Sequence, residues 1–351
     1  MNGWMGNLLR VNLTTKTSSI ESSEKYFKYI GGKGMANRIM YDEVPVGTDP
    51  AAPENKIVFA VGPNTGSSAP CSGRITISSL SPFTKYNAIV DAHMGGDTAV
   101  RMKNCGYDAV IIEGASDAPV YIYVNDDKIE IRDASHVWGK TTSDTTAILT
   151  KETDPSSNVV SIGPAGEAMI NLSCVMTGVG HCGGGGLGKV FGSKKLKAVV
   201  FNGTKGTEIA DPKRVVELNK YVIGDLMGSN NNHVVPTVAQ SWSEYENTST
   251  RWTGHPGMTW GAAEGGPIDT GEPKPGELNT VGYRCMKAFK DEGPEAEKYT
   301  IKMDGCHSCP IHCYSDLRVP ASAANGGYEI TGNTCVPNFP FTNYMIKILG
   351  D

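Results

Sequence analysis

Short runs rich in β-branched residues, each closed by glycine or proline, recur from the start of the chain to about residue 205 and commit that stretch to a β-rich fold. Residues 8–13 partly alternate, residues 56–61 form an unbroken apolar run ended by Gly62-Pro63, and residues 74–78 alternate again. Residues 109–113 lead through Gly114 into 120–124, which pairs with 128–131 across Asn125-Asp126-Asp127 as a hairpin. The pattern predicts helices over 23–29, 35–41, 97–103 and 143–151, and a closing strand over 196–201. The 42 glycines fit a domain of many turns and close backbone approaches. No internal repeat or low-complexity tract is visible.

After Gly206 the composition changes, and a second domain is expected. Asp211-Pro212 opens a helix, with Asp as N-cap and Pro in the first position, and Val215, Val216, Leu218, Tyr221, Val222 and Leu226 supply its apolar face. The expected division is a first domain over 1–207 and a partial helical domain over 208–351. Between Met227 and about Gly293 lies a polar stretch rich in Trp and Gly, including Asn230-Asn231-Asn232-His233 and Trp260-Gly261-Ala262-Ala263-Glu264. Three of the five tryptophans fall in it, which argues for a functional segment over a disordered one.

Charge and cysteine usage narrow the class. The formal charge of −5, from 37 acidic and 32 basic side chains, offers no electrostatic attraction for nucleic acid or an anionic membrane. No apolar run approaches the roughly 20 residues of a membrane helix. Met1-Asn2-Gly3-Trp4 opens into a strand pattern without a signal peptide, so a cytoplasmic location is expected. Nine cysteines, an odd number with three of them clustered, point to reduced thiolates used as ligands.

The strongest chemical signal is Cys306-His307-Ser308-Cys309-Pro310-Ile311-His312-Cys313, a C-x2-C-x3-C run. A turn brings Cys306 and Cys309 together, and Cys313, one helical turn on, can reach the same point. Cysteine-ligated iron-sulfur clusters use this geometry and take a fourth thiolate from elsewhere, for which Cys335 is a candidate. Because His307 and His312 interleave the cysteines, a zinc site with mixed sulfur and nitrogen ligands is the competing reading.

Three further turns suggest a cofactor cradle. His181-Cys182-Gly183-Gly184-Gly185-Gly186-Leu187-Gly188-Lys189 satisfies G-x-G-x-x-G at Gly183, Gly185 and Gly188, yet no hydrophobic strand feeds directly into it as a dinucleotide fold requires. It also matches a phosphate loop except at Val190, where Ser or Thr would hold magnesium. Either side-chain-free backbone approaches a phosphate or a planar cofactor there, or a glycine turn packs on a neighbouring strand. Upstream, Gly73-Arg74 places an arginine at the mouth of a strand and His93-Met94-Gly95-Gly96-Asp97 places two glycines before a helix, a favourable arrangement for an anion.

Ten segments in order carry a specific resemblance: Gly6-Asn7-Leu8-Leu9-Arg10-Val11-Asn12-Leu13, Gly31-Gly32-Lys33-Gly34, Gly62-Pro63-Asn64-Thr65-Gly66, Gly73-Arg74, Gly95-Gly96, Gly106-Tyr107-Asp108, the stretch from Ile129 to His136, Ile162-Gly163-Pro164-Ala165-Gly166-Glu167, Gly192-Ser193-Lys194-Lys195-Leu196-Lys197-Ala198 and the cysteine run. In these the chain resembles the N-terminal portion of the aldehyde:ferredoxin oxidoreductase family of tungsten or molybdenum bis-pterin enzymes. The segments around Asn230 and Trp260 look most like an uncharacterised enterobacterial branch of it. The tungsten-dependent benzoyl-CoA reductase subunit is a more distant relative with the same N-terminal pattern.

The resemblance implies an α+β chain: a β-rich pterin-binding domain of two sheets, then the start of mostly helical domains. Arg74, His93, Gly95, His181 and Gly183 fall on pterin-contacting positions, with Gly96 beside them, and Mg2+ bridges the pterin phosphates. His93 stands where relatives often have Asn, His181 where Ala is found, and Gly180 where Arg is found, which puts that arginine's phosphate contact in doubt. Cys306, Cys309 and Cys313 match three of the four ligands of a [4Fe-4S] cluster. The implied activity is two-electron oxidation of a small aldehyde to a carboxylate, with ferredoxin or a similar carrier as electron partner, no membrane insertion, and a homo-oligomer allowed. Glu329 lies near the position expected for a base, and His255 and Glu264 are candidate pocket-lining groups. A reductase of an activated aromatic acid, and a non-catalytic zinc or electron-transfer module, are the alternatives. Family members run to nearly twice this length, so a truncated frame, a fragment or one piece of a split enzyme is expected, inactive by itself.

Overall fold

The computed structural model describes residues 2–177, 182–227, 300–309, 314–321 and 330–335. The chain divides into two compact units, one of residues 1–217 with 306–308, the other of residues 218–305 with 309–351.

The first unit carries two six-stranded sheets. In chain order the first half runs β1 (Asn7–Asn12), β2 (Thr17–Ser22), a 3-10 turn (Glu24–Tyr29), α1 (Gly32–Glu43), β3 (Ile57–Ala60), β4 (Ile75–Leu80), β5 (Ile89–Met94), α2 (Thr98–Asn104) and β6 (Ala109–Glu113). The second half runs β7 (Val120–Asn125), β8 (Lys128–Asp133), α3 (Thr142–Glu152), β9 (Asn158–Ile162), α4 (Pro164–Glu167), β10 (Val175–Thr177), β11 (Cys182–Gly183), α5 (Leu187–Ser193) and β12 (Leu196–Phe201).

The two halves share one topology. The first sheet has the order β2-β1-β6-β3-β4-β5, and the second, read from its other edge, β8-β7-β12-β9-β10-β11. In each, the first and last strands of the half pair in parallel, β1 with β6 and β7 with β12, and the other pairs are antiparallel. The helices also correspond, α1 to α3 and α2 to α5. This duplication left no repeat visible in the sequence.

Packing explains why so many strands read as apolar throughout. Leu9, Val11, Phe59, Ile75, Ile77 and Ile112 of the first sheet meet Ile122, Val124, Val160, Ile162, Val199 and Phe201 of the second in one buried core, which also holds Met102 of α2 and Phe191 of α5. The alternate residues Leu8, Val58, Ala60 and Ile111 face outward and are covered by Met35, Ala36, Ile39 and Met40 of α1. Leu149 of α3 likewise packs with Tyr121, Tyr123, Val159 and Val200. The result is a four-layer helix-sheet-sheet-helix stack, and strands buried on both faces cannot alternate.

Local signals act where expected. The β7–β8 hairpin turns at Asp126-Asp127, with Asp126 at φ 51. Thr141 caps α3, its Oγ1 accepting from the Asp144 N–H at 3.1 Å. Asp211 Oδ1 accepts from the Arg214 N–H at 3.0 Å at the start of α6 (Pro212–Met227). In the second unit β13 (Thr300–Asp304), β14 (Tyr314–Val319) and β15 (Ile330–Cys335) form an antiparallel sheet, with no counterpart among the strands expected from the sequence. The stretch from Asn230 to Gly293, with His255 and Glu264, lies outside the described residues.

Candidate functional site

The end of the β4–β5 hairpin carries the first part of the site. Arg74 immediately precedes β4, is exposed, and donates from its guanidinium to the His93 carbonyl oxygen at 3.3 Å. No carboxylate among the described residues pairs with it, so its remaining N–H groups are available to an anion. The strand register sets Thr76 opposite His93 and Ser78 opposite Asp91. His93 is held through both ring nitrogens, Nδ1 3.1 Å from Thr76 Oγ1 and Nε2 2.8 Å from Asp91 Oδ2. Lys33 of α1 pairs with Asp91 at 3.0 Å, and Asn37 donates to the same carboxylate at 3.4 Å. Burial acts to raise the Asp91 pKa, but hydrogen bonds from Lys33, Asn37 and His93 outweigh it and hold the carboxyl below its ordinary range.

Two topologically equivalent glycine turns border this hairpin, one at its Arg74 end and the other running from Met94 toward Val90 and Pro82 at its turn. Gly95 and Gly96, both buried, connect β5 to α2, and Gly183 to Gly186 make the corresponding connection from β11 to α5. A Cβ added at Gly183 would lie 3.0 Å from Met94 Sδ and 2.9 Å from Val175 Cγ2, so β11 runs against the end of β5. Gly185 and Gly186, at φ 74 and 81, are pressed on Val90 and Pro82. Gly184 differs: a Cβ there would meet nothing within 4 Å. Most of the run is therefore glycine for packing and turn conformation, and Gly184 offers open, side-chain-free backbone. The arginine without a carboxylate and the open glycine surface fit a phosphate-bearing organic cofactor.

The segment Cys306–Ser308 lies on the same hairpin end. The His307 N–H donates to the Gly96 carbonyl at 3.3 Å, and the Cys71 N–H to the Ser308 carbonyl at 3.2 Å. Cys306 and Cys309 are half-buried, and neither they nor Cys71, Cys105 and Cys174 form a disulfide. Among the described residues no group of three metal-ligating side chains converges. A reduced C-x2-C pair is nonetheless the donor chemistry an iron-sulfur cluster takes. His181, Cys313 and Glu329 lie outside the described residues. Lys33, Asn37, Thr76 and Asp91 escaped the sequence reading as site residues. Asp91 and His93 at i and i+2 on one strand face were the available signal.

Duplicated sheets whose equivalent glycine turns border the hairpin of Arg74, an arginine with no carboxylate partner among the described residues, make a framework able to hold a phosphate-bearing cofactor. Residues 8–203 match the family described as "Aldehyde ferredoxin oxidoreductase, N-terminal domain". The chain belongs to the aldehyde ferredoxin oxidoreductase family. It is 34% identical to the tungsten-containing aldehyde ferredoxin oxidoreductase of Pyrococcus furiosus, over 94% of this chain and 51% of that protein. The Pyrococcus horikoshii protein of the same name is 44% identical over 64% of this chain and 38% of its own length. Among solved structures, the active site complex BamBC of benzoyl coenzyme A reductase with 1,5-dienoyl-CoA matches with a TM-score of 0.75 and 26% identity, over 99% of this chain and 53% of that one. The chain thus spans about half the length of the relatives it matches most fully. Among the described residues no helix is long and apolar enough to cross a membrane.

Proposed function

We propose that the protein takes part in the two-electron oxidation of an aldehyde to a carboxylate, passing electrons to ferredoxin or a similar carrier in the cytoplasm. The observation that carries this reading is a pair of topologically equivalent glycine turns bordering the hairpin that bears Arg74, a seat suited to a pair of similar ligands. Bound there, a tungsten or molybdenum bis-pterin supplies the two-electron acceptor. Arg74 would hold a pterin phosphate through its remaining N–H groups, with Mg2+ as a further counter-charge to the phosphates. The backbones of Gly95, Gly96 and Gly183 would offer their polar groups to the cofactor, His93 fixes the carbonyl to which Arg74 is anchored, and His181 would add to the second turn.

The balance is simple: aldehyde and water give carboxylate, three protons and two electrons. Glu329 is assigned as the base that takes the proton from the attacking water. Cys306, Cys309 and Cys313 would hold a [4Fe-4S] cluster, which would supply one-electron passage to the carrier. The names of the relatives support the tungsten, the aldehyde and the ferredoxin. The test is anaerobic purification of the native gene product, with metal analysis and aldehyde-dependent viologen reduction. Tungsten or molybdenum, iron with labile sulfide, and aldehyde-dependent reduction are expected; zinc as the sole metal would overturn the reading.

A further inference from the structure

We propose that His307 is a positioning residue that seats Cys306 on the Gly96–Asp97 turn and so registers the sulfur loop against Arg74. The proposal rests on the reading of Cys306 as a cluster ligand. Four observations converge on it. The His307 backbone N–H is bonded to the Gly96 carbonyl, and Ser308 accepts from the Cys71 N–H, so the loop is tied down on both sides of Gly73. The His307 ring turns toward the same turn, Nδ1 lying 3.5 Å from Asp97 Oδ1. From the opposite side Gly73 leaves exactly the room the loop needs: a Cβ there would sit 3.1 Å from His307 Cβ and 3.2 Å from its N.

The side-chain pair alone is weak. With 38% of His307 and 54% of Asp97 exposed, it resembles surface pairs worth about 0–1 kcal/mol. Its value is directional, because the backbone bonds set the height of the loop and the ring fixes which way it faces. Gly73 is bonded directly to Arg74, so a loop that lifts or turns changes the surroundings of the arginine and of the Cys306 sulfur together. Hydrogen bonding and exposure around the sulfurs set cluster properties, which makes this contact a determinant of the redox centre and not only of stability.

The test compares the anaerobically purified native gene product with His307→Ala, His307→Gln and Gly73→Ala. Iron per chain, the electron paramagnetic resonance spectrum after dithionite reduction, and hydrogen–deuterium exchange of the segment containing Cys71 are measured. Gly73→Ala is expected to speed exchange at Cys71 by about tenfold, through loss of a backbone hydrogen bond, and His307→Ala by up to about fivefold, the worth of a surface pair, and both to alter the spectrum. His307→Gln, which keeps a donor for Asp97, is expected to restore the native spectrum. If Gly73→Ala does not fold, the half-exposed His307 side chain still decides the matter. Iron in the native protein with exchange and spectrum unchanged in His307→Ala overturns the positioning role alone. An iron-free native protein overturns the cluster reading and the positioning role with it.

Discussion

The Arg74 guanidinium donates to the His93 carbonyl oxygen at 3.3 Å, and the His93 ring is itself gripped by Thr76 and Asp91. An exposed arginine is thus aimed by the backbone of the neighbouring strand with no carboxylate among the described residues to neutralise it. Arg74→Gln is expected to change folding stability by no more than about 0.5 kcal/mol, because the side chain is exposed and makes one hydrogen bond. Cofactor retention is expected to fall about 10- to 100-fold, the worth of a charge-assisted bond to phosphate. Arg74→Lys should fall between, since it keeps the charge and loses the fork. Metal and pterin per chain, set against the melting temperature, separate the two effects.

Phe59 of β3 stands edge-on to both Phe191 of α5, with centroids 6.2 Å apart, and Phe201 of β12, at 5.9 Å. It therefore joins both sheets and the helix that follows the second glycine turn. Phe59→Ala is expected to cost about 3–5 kcal/mol in chemical denaturation, since two aromatic neighbours cannot both collapse into the space.

The first unit was legible wherever local chemistry decides. The β7–β8 hairpin, the Asp211 cap and the apolar strands β3, β6, β7 and β12 follow from turn residues, capping and uninterrupted burial. The strand β2 was not legible, because Thr17-Ser18-Ser19-Ile20-Glu21-Ser22 lies mostly exposed at a sheet edge and carries no apolar pattern. Nor was β5, whose outward face bears Asp91 and His93 in place of apolar residues. The duplicated topology was hidden because it is conserved in pairing order and not in residues, so that Gly95-Gly96 corresponds to Gly183 to Gly186 with little in common but glycine. At the site, Arg74 and the glycines could be read directly. The Lys33–Asp91–His93 chain needed α1 to be laid on the outer face of the first sheet.

Lys103 is fully buried and donates to the carbonyls of Gly3 at 2.6 Å and Gly62 at 2.7 Å, with Asp108 3.8 Å away. Burial lowers its pKa to about 8, partly offset by Asp108. The unfolded chain keeps this proton to about pH 10.5, so between about pH 8 and 10.5 the unfolded state binds more protons and the lysine's contribution to stability rises with pH. Its slope there is about 1.4 kcal/mol per pH unit. Lys103→Met is expected to remove that slope and, at neutral pH, to cost about 1–3 kcal/mol by leaving two carbonyls without a donor. Urea unfolding of both proteins from pH 7 to 10 reads the difference, and parallel curves would refute the assignment.

Gly184 and Gly185 are neighbours in sequence with opposite surroundings, and that contrast separates packing from ligand approach. A Cβ on Gly185 would lie 2.5 Å from Val90 Cγ2, and its φ of 74 already disfavours any side chain. A Cβ on Gly184 would meet nothing within 4 Å. Gly185→Ala is therefore expected to destabilise the fold by about 1–3 kcal/mol through overpacking and strain. Gly184→Ala should leave the melting temperature within about 2 °C, the size of shift a few tenths of a kcal/mol produces. If the open backbone at Gly184 is where the cofactor lies, the added methyl group occupies its place, and metal and pterin per chain drop although the apo fold is intact. Full cofactor content in Gly184→Ala would show that the ligand keeps clear of this turn, and the seat would then have to be built from the Arg74 side alone.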